Sequence, residues 1–135
     1  MIEKIRKYFI DQKIIDSSNR INVDFLGEEP TQFSIEKVPT NPIIENYIDG
    51  SSKRQFQFQL VSCNDYGPEI TQNVSNSLFF EDFCNLIESK NKEKMLPDIE
   101  GIETIECLDN GAIVDADTKT ARYSIMMRIT YYKTK

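Results

Sequence analysis

Apolar residues recur at two different periods along this chain, and each change of period marks a new element. Ile2, Ile5 and Phe9 stand at helical spacing among charged residues, which predicts an amphipathic helix over residues 1 to 11 with one buried face. Ser17, Ser18 and Asn19 form a turn cluster. From Arg20 the period falls to two: Ile21, Val23 and Phe25 alternate with Asn22 and Asp24, the sign of a half-buried strand. After a break at Gly27, Glu28, Glu29 and Pro30, Phe33 and Ile35 alternate with Gln32, Ser34 and Glu36, and the two strands are expected to pair as a hairpin. Pro39 and Pro42 then interrupt regular structure, because proline lacks an amide hydrogen and restricts the residue before it.

The segment from Ile43 to Ser62 holds an apolar stretch to Ile48, an Asp49-Gly50 turn with Ser51 and Ser52, and the run Gln55-Phe56-Gln57-Phe58-Gln59-Leu60. Alternation puts Phe56, Phe58 and Leu60 on one face and three glutamines on the other. Such a neutral polar face suits solvent, or it suits a neighbouring subunit, since amides cost less to desolvate than charges.

Gly67 and Pro68 precede a long helical pattern over residues 69 to 91, with Ile70, Val74, Leu78, Phe83 and Ile87 expected along one face. Asn and Ser residues near its middle are mediocre helix formers and allow a bend or a later start near Leu78. Lys90, Lys92 and Lys94 place positive charge where a helix C-terminus favours it. Residues 97 to 101 read as a loop, and residues 103 to 109 as a strand around Ile105 and Cys107. Asn110-Gly111 supplies the backbone angles of a type I′ turn, so Ala112 to Asp115 is expected to return antiparallel to that strand. Asp117, Thr118 and Lys119 form another turn before a final strand from Thr120 to Lys133.

In that last strand Tyr123, Ile125, Met127, Ile129 and Tyr131 share a face, which makes it central with its odd positions in the core. Arg122, Ser124, Met126, Arg128, Thr130 and Tyr132 share the other, a mixture that suits a partner surface or a covering helix. The order of elements predicts one α+β domain over residues 1 to 135: a mixed, largely antiparallel sheet with the N-terminal helix and the long central helix packed on it.

Composition narrows the chemistry. The chain has 135 residues, 39% of them hydrophobic and 28% charged, which suits a folded domain that needs neither metal nor disulfide. Charges interrupt the N-terminal apolar positions, so no signal peptide is expected, and no run nears the roughly 20 apolar residues of a membrane span. Cys63, Cys84 and Cys107 are odd in number and contain no Cys-x-x-Cys pair, which points to reduced thiols packed among apolar neighbours in the cytoplasm. A net charge of −6 argues against a nucleic-acid binder, and Arg20, Lys53 and Arg54 are the only hints of a basic patch.

With no histidine in the sequence, histidine triads, histidine zinc sites and histidine bases are excluded. Glu28-Glu29 and the Asp115 and Asp117 pair fall at expected turns and read as solvated acids. Asp109, Asn110, Gly111, Asp115 and Asp117 lack the spacing and glutamate of a calcium loop. The five glycines are scattered singly and build no phosphate-binding loop. No catalytic, cofactor-binding or metal-binding residue is therefore expected.

Several separated motifs, in order, resemble one family. Arg20-Ile-Asn-Val-Asp-Phe-Leu-Gly-Glu-Glu-Pro30, Phe33-Ser-Ile-Glu36, Val38-Pro39, Asn41-Pro42, Tyr47-Ile-Asp-Gly-Ser51, Arg54-Gln-Phe56, Ala121-Arg-Tyr123 and Tyr131-Tyr132 resemble small phage tail terminator or minor capsid proteins of phages and prophages of Gram-positive bacteria. The resemblance implies a structural protein of the host cytoplasm that forms a homo-oligomeric, hexameric ring on the head-proximal end of a tail tube. Such a ring ends polymerisation and meets the connector, and in a contractile tail or a phage-tail-like bacteriocin also the sheath. A head-closure protein, or a small ligand-binding domain or enzyme, is the alternative. A ring needs two different surfaces on each subunit, and the candidate contact residues are Asp49, Ser51, Lys53, Arg54, Gln55, Gln57, Arg122 and Arg128. Asp49 to Arg54 is expected to form a loop reaching the neighbouring subunit or the tube.

Overall fold

The computed structural model describes residues 1–12, 14, 20–23, 32–65, 70–109, 111–116 and 120–135. The expected α+β architecture is present: two helices lie against one sheet, with strands and helices in the order α1 (Ile2–Asp11), β1 (Arg20–Val23), β2 (Gln32–Lys37), β3 (Ile43–Asn46), β4 (Ser52–Asp65), α2 (Ile70–Lys92), β5 (Ile102–Cys107), β6 (Ala112–Ala116) and β7 (Thr120–Lys133). Among the described residues these strands form one sheet with the order β1-β2-β4-β7-β5; β3 continues β2 along one side of β4, and β6 continues β5 along one side of β7.

The two long strands form the spine. β4 and β7 pair antiparallel over their whole lengths, from Ser52 opposite Lys133 to Asp65 opposite Thr120. Their alternation has the expected consequence: Phe58, Leu60, Ile125, Met127 and Ile129 are fully buried on one face. Against them pack Ile5, Tyr8 and Phe9 of α1 and Phe80, Phe83 and Ile87 of α2, so both helices cover the same side of the sheet. Each such side chain contributes about 1.5–3 kcal/mol by leaving water. Tyr8 adds an anchor: its hydroxyl donates to the Met95 carbonyl at 2.7 Å, and burial pushes its pKa up to about 12.

The expected loop from Asp49 to Arg54 is shorter, since Ser52, Lys53 and Arg54 already belong to β4, and three further details depart from the sequence-based expectations. First, β1 and β2 run parallel, with Arg20 opposite Gln32 and Val23 opposite Ile35, and do not form a hairpin. The eight residues between them reach up to about 27 Å, twice the length of a four-residue strand at about 13 Å, so the chain can return before pairing. Second, β6 does not fold back on β5; both pair antiparallel with β7. Between Cys107 opposite Met127 and Ala112 opposite Ser124 the edge chain advances five residues while β7 advances three. Gly111, at φ 81°, therefore belongs to an interruption in one long edge; its N–H bonds the Asp109 carboxylate at 2.8 Å, and a Cβ there would lie 2.8 Å from the Phe80 ring. Third, Leu78 is exposed and Phe80 takes the core position. Five residues separate Leu78 from Phe83, a rotation that leaves them about 140° apart on a helix, whereas Phe80, Phe83 and Ile87 follow the i, i+3, i+7 pattern.

Helix α2 runs unbroken from Ile70 to Lys92. Its end is a Schellman turn without glycine: Met95 N–H reaches the Lys90 carbonyl, Lys94 N–H reaches the Asn91 carbonyl, and Lys94 adopts φ 61°. The side chains of Ile70 and Val74, Phe25, the break at residues 27 to 30, Asn110 and the turn at 117 to 119 lie outside what is described.

Candidate functional site

Because both helices sit on one face, the opposite face of the sheet carries no helix among the described residues. Alternation puts Lys53, Gln55, Gln57 and Gln59 of β4 on it, opposite Tyr132, Thr130, Arg128 and Met126 of β7. Glu36 of β2 stands opposite Gln59, and Glu106 and Thr104 of β5 stand opposite Arg128 and Thr130. The face is polar but not a loose solvated surface: Gln55, Gln57, Gln59, Met126 and Arg128 are all only half-exposed.

Hydrogen bonds run across it, between strands, along β4 and to the segment before β3. The Gln59 amide donates to Glu36 Oε2 at 2.8 Å and its Oε1 accepts from Ser124 Oγ at 3.0 Å. Gln57 Nε2 donates to Gln55 Oε1 at 3.2 Å, and Gln55 Nε2 to the Asn41 carbonyl at 2.9 Å. Arg128 Nε donates to Glu106 Oε1 at 2.8 Å, the Thr104 and Thr130 hydroxyls share a hydrogen bond, and Lys53 lies 3.8 Å from Glu103. Arg128 and Lys53 have carboxylate partners here, Glu36 holds a glutamine amide, and the amides are already oriented. A partner docking on such a face meets fixed donors and acceptors, with little side-chain entropy left to lose.

The structure gathers some predicted contact residues and separates others. Lys53, Gln55, Gln57 and Arg128 share this face, and Arg122 lies on the same side further along β7, opposite Cys63. Asp49 and Ser51 instead hold the β3–β4 turn: the Asp49 carboxylate accepts from Ser51 N–H at 2.9 Å and from its hydroxyl. Ser51 is 3% exposed, so its side chain serves the turn. Those Ser51 hydrogen bonds pull the Asp49 carboxyl below its ordinary range. Arg54 points with the opposite set and donates to Ser52 Oγ at 3.0 Å.

Glu36, Gln59, Thr104 and Glu106 complete the face although sequence reasoning did not single them out as contacts. Their signal is strand register, which periodicity alone does not carry. Ile44, Tyr47 and Ile48 around the turn are exposed, and the clue was present as an apolar stretch running into an Asp-Gly turn.

A cavity of about 530 Å³ lies elsewhere, between α2 and the β5 edge, and Cys84, Asn91, Glu106, Cys107 and Asp109 are among its walls. Both thiols are free, and burial pushes both upward, so nothing there activates a nucleophile. Asn91 serves the fold instead: its Oδ1 accepts the Ile105 N–H at 2.9 Å while its amide donates to the Ile105 and Ile87 carbonyls. The edge strand thereby finds a partner in a helix side chain. No group of three or more Cys, Asp or Glu among the described residues is placed to hold a metal, and no described helix is long and apolar enough to cross a membrane. No family model and no curated protein matches the chain.

Proposed function

We propose that this chain is a structural assembly subunit, a tail-completion protein that forms a homo-oligomeric, hexameric ring on the head-proximal end of a phage or phage-tail-like tube and ends its growth. The observation that carries this is the open sheet face, where Arg128 and Lys53 are paired with Glu106 and Glu103, Glu36 is held by the Gln59 amide, and the half-exposed surface between them is amide, hydroxyl and Met126. Such a composition favours protein contact, because the core of a subunit interface is depleted in unpaired charge. The resemblance of the ordered sequence motifs to tail terminator proteins supplies the place of assembly. The working parts are surfaces, with the tail tube, the connector and further copies of the chain as partners.

Electron microscopy of particles carrying the labelled chain tests this. A one-layer ring at the head-proximal tube end is expected. Label at the portal of the capsid would instead make it a head-closure protein, and absence from every particle would sink the assembly reading. Gln57→Glu combined with Arg128→Glu is expected to abolish ring formation and lengthen tails, with the isolated chain still folded.

A further inference from the structure

Where β4 begins and β7 ends, the sheet is four strands wide: Asn46 of β3 pairs with Ser52, Ser52 with Lys133, and Tyr131 with Ile102 of β5. The β3–β4 turn stands on one flank of this end and the loop before β5 on the other, with β4 and β7 between them.

The turn presents an apolar knob. Ile48 is fully exposed, and Ile44 and Tyr47 on the same hairpin are exposed at 43% and 40%. The knob is held firmly: Gly50 takes φ 90° and its N–H bonds the Tyr47 carbonyl, Tyr47 N–H bonds the Ser51 carbonyl, and Asp49 ties Ser51. Tyr47 also packs against Tyr132, with ring centroids 6.1 Å apart. A large apolar side chain on a braced turn, wholly in water, adds nothing to its own fold.

The other flank presents a cavity of about 450 Å³, walled by Met1, Ile99, Gly101, Tyr131, Tyr132 and Thr134. Its floor is rigid. The Gly101 carbonyl accepts the Tyr132 N–H at 2.8 Å, and Gly101 sits at φ 74° with no room for a side chain, since a Cβ would fall 2.1 Å from the Tyr132 carbonyl oxygen. Charge biases the approach: Glu45 and Asp49 flank the knob, and Lys133 on the cavity rim attracts them. Glu100 on the same rim repels an acidic tip, so the approach is restricted to the Lys133 side.

We propose that Ile48 of one copy seats in this cavity of the next, so that the occupant is a second copy of the chain joined head to tail. Knob and hole are different patches that adjoin at Tyr132, which packs against Tyr47 and walls the cavity, so a contact that runs one way from copy to copy is heterologous and forms a ring where the rotation per subunit closes. This inference rests on the self-assembling role proposed above and identifies one of its contacts. A single seated isoleucine buries far less than the roughly 1,200–2,000 Å² of a stable pair, so the contact is weak alone and gains strength from the rest of the interface.

The test mixes two variants of the full chain, Ile48→Cys and Thr134→Cys, at high concentration with oxidised glutathione as the disulfide oxidant. A disulfide between residues 48 and 134 can then arise only between two molecules, and peptide mass spectrometry reads it. Formation of that cross-link, absent from either variant alone, is the expected result. Ile48→Asp should in addition weaken self-association by about tenfold or more in sedimentation velocity, with its thermal melt unchanged. No 48–134 cross-link, together with wild-type association by Ile48→Asp, overturns this contact while leaving ring formation intact. A chain that stays monomeric both alone and on tail tubes overturns the contact and the ring together.

Discussion

On the helix side of β4 and β7, Phe58, Leu60, Ile125, Met127 and Ile129 are fully buried; one residue along each strand, Gln57, Gln59, Met126 and Arg128 remain half-exposed on the opposite side. Both faces belong to the same backbone ladder, and they differ in what fills them. The covered face is held by removing apolar surface from water, a non-directional force that grows with area. The open face is held by directional bonds between amides, hydroxyls and paired ions, each worth little net because water competes for the same groups. A face of the first kind supports a fold. A face of the second kind remains free to exchange its water for a partner.

Substitutions on the two sides should separate these roles, beginning with the largest effect. Phe58→Ala removes a fully buried ring that lies near Phe9 and Phe56, and should cost about 3–5 kcal/mol in chemical denaturation. A loss below about 1 kcal/mol would mean that the covered face is not the core. Asn91→Ala strips the β5 edge of its side-chain partner and leaves the Ile105 N–H and carbonyl wanting, at about 1–3 kcal/mol. Hydrogen exchange of the Ile105 amide should accelerate with it, and an unchanged rate would show that the clamp does not form in solution.

The open face should respond weakly in the isolated chain. Gln57→Ala loses one hydrogen bond to a half-exposed neighbour and should change stability by no more than about 1 kcal/mol. Arg128→Ala breaks a pair whose side chains are 34% and 40% exposed, worth about 1 kcal/mol or less after screening by solvent. If these changes abolish assembly while melting curves stay in place, the division between the faces is sharp; a large loss of stability would blur it.

The smallest effect concerns acid. Hydrogen bonds from Ser51 lower the Asp49 pKa from its ordinary 3.8, so the carboxylate stabilises the folded turn fully above that value. The contribution is lost as pH falls through the lowered, folded pKa. Ser51→Ala should therefore narrow the difference in stability between about pH 7 and about pH 2 relative to the parent chain. Equal differences in the two proteins would remove Asp49 from the account.

Periodicity was sufficient wherever an element is long and one-sided. The expected bounds of the last strand, Thr120 to Lys133, are those observed, and the buried set from Tyr123 to Ile129 follows from alternation alone. The glutamine face was legible in the same way, because three amides out of step with Phe56, Phe58 and Leu60 can only point away from them. The bonds across that face were not. Glu36 and Glu106 lie 23 and 22 residues from the side chains they bond, and no local pattern ties them together.

The amino-acid sequence by itself determined which residues turn inward, since side-chain direction along a strand or helix follows from backbone geometry that every residue shares. It also determined that histidine chemistry is absent. Strand direction and neighbour were decided only in three dimensions: alternation looks the same whether β1 runs parallel or antiparallel to β2, and Asn110-Gly111 permits a hairpin without requiring one. There the fourteen-residue edge of β7 pairs with both β5 and β6, and Gly111 crosses the gap between them beside Phe80. Leaving one sheet face without a helix among the described residues was likewise a tertiary outcome, because it follows from the packing of both described helices on the same side.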